Sequence, residues 1–112
     1  MIYTVKLFDI NTIDSGRSIV PKEVVQKALN EYIISSNNTS NNSIQILDYW
    51  FERDSIYAKI ELTNEEHRES FSKNNMRPKF SISSLIGKRP DRNELSCLNI
   101  NGISIEGFEK IY

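Results

Sequence analysis

The stretch Ile44-Gln45-Ile46-Leu47-Asp48-Tyr49-Trp50-Phe51-Glu52-Arg53-Asp54-Ser55-Ile56-Tyr57-Ala58-Lys59-Ile60-Glu61-Leu62 decides the fold. Two runs rich in β-branched and aromatic residues, 44–52 and 55–62, are separated by Arg53-Asp54, and this predicts an antiparallel hairpin. In the second run Ile56, Ala58, Ile60 and Leu62 alternate with Tyr57, Lys59 and Glu61, the period of a half-buried strand. Successive strand residues face opposite ways, so Trp50 must lie opposite Tyr49 and Phe51. Whichever set faces outward is a contact surface; the plainer alternative buries one side and covers the other with a helix.

Working outward, Ile2 to Asp9 reads as a first strand, closed by the turn formers of Asn11 to Arg17. A helix follows. Pro21 suits its first position, where a missing N–H costs nothing, and Glu23 complements the helix dipole. Val24, Val25, Ala28, Leu29, Tyr32 and Ile33 recur at helical spacing on one face. The polar Asn/Ser run 35–43 has nothing to offset the entropy of ordering it and reads as a flexible loop. Thr63-Asn64-Glu65-Glu66 fits a capping box, which predicts a short surface helix. Lys79 to Ile86 reads as a strand with Phe80, Ile82, Ser84 and Ile86 on one face, ending at Gly87, and Arg89-Pro90-Asp91 as a turn. In Leu98 to Ile105 the Asn101-Gly102 pair suits a type I′ turn, so a second hairpin is expected, pairing Ile100 with Ile103 and Leu98 with Ile105. No internal repeat is read. The sum is one α+β domain over 1–112: a mostly antiparallel sheet or small, partly open barrel of about six strands, with one amphipathic helix and one short helix.

A chain of 112 residues holds one core and leaves little room for a large cofactor cavity, so no cofactor is expected. The net charge of −1 gives no global attraction to nucleic acid or to an anionic membrane. The first residues lack a leader pattern, and no run approaches the roughly 20 apolar residues of a membrane span, which implies a cytoplasmic protein. Cys97 and His67 are each the only residue of their type, which argues against a Cys/His metal site; Cys97 is most simply a small buried hydrophobe. The carboxylates are dispersed without metal-loop spacing.

Ser81-Ile82-Ser83-Ser84 offers nucleophile candidates in Ser83 and Ser84, with His67 the one imidazole to activate them. Serines on the solvent face of a strand are the ordinary alternative. Lys73, Arg77, Lys79, Lys88, Arg89 and Arg92 make residues 73–92 basic, a candidate anion-facing patch or simply a solvated surface. Tyr49 and Trp50 are the aromatic candidates for binding.

Three short blocks resemble the prohead core proteases of tailed phages. Ser15-Gly16-Arg17 with Pro21 to Leu29 is similar to their "NGR-x-YPKEVLEKAL" opening, Ile46 to Ile60 to their hairpin "I-x-D-x-WFEGD-x-VYG-x-I", and Phe80 to Ser84 to their "G-I-SSR" nucleophile segment. The resemblance implies a barrel-like sheet flanked by helices. It also exposes departures. The family's histidine before the hairpin has no counterpart: that stretch is the Asn/Ser loop, and Ile44 follows Ser43 where an "SH" pair would place a second histidine. Leu85 replaces the arginine after the serine pair, and His67 falls where the family has no catalytic histidine.

The expected function is therefore a non-catalytic phage-type binding or assembly protein, lacking a complete catalytic constellation and acting in the host cytoplasm or the virion. One alternative is a residual serine hydrolase using Ser83 or Ser84 with His67 or Lys79. Another is a phage accessory protein that binds a host factor or small anionic ligand through Lys79, Lys88, Arg89 and Arg92. A protein partner or self-association, as a dimer, is expected because so small a sheet exposes strand edges.

Overall fold

The central hairpin forms as expected, its strands running Ile44–Glu52 and Ser55–Leu62 and pairing antiparallel. The computed structural model describes residues 2–14, 17–37, 44–63, 65, 68–69, 76–89, 91 and 93–110. In chain order the elements are β1 (Ile2–Asp9), a 3-10 turn (Ile10–Thr12), α1 (Lys22–Asn37), β2 (Ile44–Glu52), β3 (Ser55–Leu62), β4 (Met76–Arg89) and β5 (Glu94–Lys110). Among the described residues there are five strands in two antiparallel sheets, β1-β3-β2 and β4-β5, with no closed barrel. No helix among them is long and apolar enough to cross a membrane.

β3 is the central strand, and its alternate residues Ile56, Ala58, Ile60 and Leu62 are all fully buried. Its two neighbours each carry a bulge. In β1 the register shifts between Lys6 and Phe8, so Leu7 and Phe8 both turn inward. In β2 it shifts between Ile46 and Asp48; Leu47 is left outside, and the Asp48 carboxylate accepts the Tyr49 N–H at 2.8 Å. That extra residue moves the inward face from Ile44 and Ile46 to Tyr49 and Phe51. A strict alternation would have driven Asp48 and Trp50 into the core.

The expected second hairpin is not there. Leu98 to Ile105 lies inside one continuous strand: Leu98 pairs with Ile86, Ile100 with Ser84, Ile103 with Ile82 and Ile105 with Phe80. This lowers the strand count from six to five. Neither Asn101 nor Gly102 takes the positive φ that a type I′ turn needs. The pair instead makes a bulge. β5 has 17 residues against 14 in β4, and three register shifts place its extra residues at Ser96, Asn101 and Glu106. These are five residues apart because the sequence repeats: Leu95-Ser96-Cys97-Leu98-Asn99, Ile100-Asn101-Gly102-Ile103-Ser104 and Ile105-Glu106-Gly107-Phe108-Glu109 share apolar first and fourth positions and a small third. Each bulge shifts the alternation by one, and so Leu95, Leu98, Ile100 and Ile103 are all buried.

α1 starts after Pro21, whose carbonyl accepts the Val24 and Val25 N–H groups, and runs to Asn37. Ser35 and Ser36 thus belong to the helix, while 38–43 of the expected loop lie outside the described residues. Val25, Ala28 and Leu29 are buried, and the Tyr32 hydroxyl accepts the Ile103 N–H at 3.2 Å, seating the helix on β5. One apolar cluster joins α1 to both sheets. Of the expected short helix, Glu65, Arg68 and Glu69 are helical, and Arg68 donates twice to the Leu62 carbonyl; Asn64 and Glu66 of the capping box lie outside the described residues.

Candidate functional site

α1 presents a second stripe, Val24, Lys27 and Glu31, beside its buried one. Across from it stand Leu85 and Ile86 of β4 and Ser96 to Asn99 of β5, enclosing an open groove of about 350 Å³. Leu98 is its buried apolar floor, whereas Leu85 is 67% and Ile86 37% exposed. A single exposed leucine is ordinary, but Leu85 and Ile86 are contiguous with Val24 and Leu98 in one groove lining, and it is such a contiguous apolar patch that marks a contact surface. Lys27 and Glu31 stand one helical turn apart on the rim and make no ion pair among the described residues. The order Lys then Glu is the weaker one for an i,i+4 pair, consistent with both staying free.

Cys97 also lines this groove. It is exposed, contrary to the reading of a buried hydrophobe, because the bulge at Ser96 turns Ser96 and Cys97 both outward. A second, more polar hollow of about 430 Å³ lies between β1 and the far end of the ribbon, crossed by the Arg77–Glu109 pair at 2.7 Å.

The candidate serines are not brought into a cleft. Ser83 is exposed opposite Gly102, and Ser84 is half-buried on the other face opposite Ile100. Neither side chain has a hydrogen bond among the described residues. Lys79 shares the face of Ser83 but stands four residues away, about 13 Å at the rise of a strand, and it faces away from Ser84. His67 and Arg92 lie outside the described residues.

The basic segment is partly neutralised. Lys88 pairs with Asp14 at 2.5 Å and Arg77 with Glu109, while Lys79 and Arg89 are exposed. Lys88 is thus a structural ion-pair partner that ties the 10–20 loop to the ribbon. The Lys88 ammonium and then the Ser18 hydroxyl, both hydrogen-bonded to Asp14, hold its carboxyl below the usual carboxylate range.

The two aromatic candidates separate as alternation requires. Tyr49 packs on α1, its hydroxyl 2.6 Å from Asn30 Oδ1 and its ring edge-on to Phe51, so it is a packing residue and not an open binding one. Burial first, and the Asp48 charge second, push its phenol up. Trp50 lies on the outer face, stacked on its cross-strand neighbour Tyr57 with ring centroids 6.4 Å apart. Among the described residues no group of three or more His, Cys, Asp or Glu side chains is placed to hold a metal ion.

The groove residues Lys27, Glu31, Leu85 and Ile86 were missed as site residues. The available signal was Leu85, the one apolar residue on the solvent face of Ser81 and Ser83. Comparison with protein-family models, with curated proteins and with solved structures finds no match to this chain.

Proposed function

We propose that the chain is a non-catalytic binding or assembly module, a relative of the phage prohead core proteases that works in head assembly, in the host cytoplasm or in the virion. The observation that carries this reading is the placement of Ser83 and Ser84 on opposite faces of an open ribbon, neither hydrogen-bonded among the described residues. A serine nucleophile needs a base within hydrogen-bond reach; this chain has Ile44 where the resembled family's "SH" pair places a histidine, and losing such a base costs several orders of magnitude in rate. The groove beside α1 supplies a contact surface in place of a catalytic cleft. The resemblance gains support from Arg53, whose φ of 56° is a conformation that the glycine of the "WFEGD" motif takes without strain.

The test is labelling with a fluorophosphonate probe. Wild type, Ser83→Ala and Ser84→Ala are expected to show the same background signal. Labelling of the wild type that disappears in either variant would restore the hydrolase reading and remove this one.

A further inference from the structure

The groove beside α1 is self-complementary, and we propose that its occupant is a second copy of this chain, docked about a two-fold axis with the two α1 helices antiparallel. This rests on the reading of the chain as a binding module and names its partner.

The argument begins with charge. Lys27 and Glu31 are separated by about 6 Å along the helix axis, one turn. A two-fold axis crossing α1 level with the midpoint between them brings Lys27 of each copy opposite Glu31 of the other, and the two unpaired rim charges satisfy one another twice. No other arrangement of charge is required of the partner. The groove between them is apolar at its floor, with Leu98 and Val24, and apolar at its lip, with Leu85 at 67% exposure and Ile86 at 37%. Burying these side chains supplies the attraction, and the paired rim charges fix the register. The net charge of −1 leaves no appreciable repulsion between copies.

The experiment is a charge swap read by sedimentation equilibrium on the full chain. Wild type is expected to dimerise. Lys27→Glu alone places four acidic groups on the two-fold rim and Glu31→Lys alone places four basic ones, so each is expected to weaken the dimer at least about tenfold. The double variant K27E/E31K restores opposite charges and is expected to return to the wild-type constant. An equimolar mixture of the two single variants is expected to form the heterodimer. Leu85→Asp, at an exposed position outside the core, is expected to give a monomer, with circular dichroism confirming an intact fold for every variant.

A wild type that stays monomeric overturns the proposal. So does a dimer indifferent to the single substitutions, or a double variant as weak as the single ones. Those outcomes leave the non-catalytic reading standing, because that reading fails only on serine-dependent probe labelling.

Discussion

A methyl group added at Gly87 would stand against the Cys97 thiol, its cross-strand partner. The atom that must give way is the end of an exposed side chain, so Gly87→Ala is expected to cost about 0.5–1.5 kcal/mol in urea denaturation, the strain of an off-rotamer side chain. Cys97→Ala removes the sulfur, and in the G87A background it should recover most of that loss. A double-mutant cycle with purely additive effects would show that the two positions do not meet. Side-chain facts of this kind are invisible to composition. The sequence suggests a buried Cys97; the bulge beside it puts the thiol at the surface over a glycine. Tyr49 and Trp50 are adjacent and similar in character, yet one is tied to Asn30 on α1 and the other stacks on Tyr57 on the outer face. Their opposition follows from alternation alone, but which of them faces in depends on the single extra residue at Leu47.

At the scale of elements, the loop after β1 is clamped to the turn between β4 and β5. Asp14 accepts from Ser18 and Lys88, Asn93 donates to the Arg17 carbonyl at 2.5 Å, and Ile19 bridges to Glu94. Because the Asp14 carboxyl is held below its ordinary range when folded, its contribution is present above the unfolded pKa and disappears as pH falls through the folded one. Thermal unfolding of the wild type should weaken as pH drops below about 4. Asp14→Asn is expected to be less stable at neutral pH and to show a shallower acid limb. A D14N curve parallel to wild type at every pH would mean the clamp contributes nothing. Asp9 behaves in the same sense, held down by Ser55 and then Lys6, so the acid limb is flattened rather than abolished. The ribbon itself shows why a local turn signal can mislead. Asn-Gly tolerates a tight turn, but the 14-residue partner β4 pairs with β5 along its whole length, and the five-residue repeat keeps its apolar side chains inward only if the chain continues through each bulge.

For the molecule as a whole, extents of 47 × 36 × 20 Å describe a thin body about two layers deep. Sheets of three and two strands cannot each bury a core of their own, and the shared cluster around α1 holds them together. Leu29, fully buried in that cluster, is the test: Leu29→Ala should cost about 2–5 kcal/mol. Far- and near-ultraviolet circular dichroism should still report one coincident transition. Two separated transitions would show that the sheets fold as independent units.

The sequence by itself determined the local pieces: the hairpin over 44–62, the helix after Pro21 with its apolar stripe, the alternation of β4 and the opposition of Tyr49 to Trp50. Each depends on periodicity or turn chemistry within a few neighbouring residues, and that information is written along the chain. Tertiary structure alone decided that Asn101-Gly102 bulges instead of turning and that Lys88 is spent on Asp14. It also brought Lys27 and Glu31 beside Leu85. These outcomes depend on which segment lies alongside, and a partner beyond the local window leaves no periodic mark on the residues it meets.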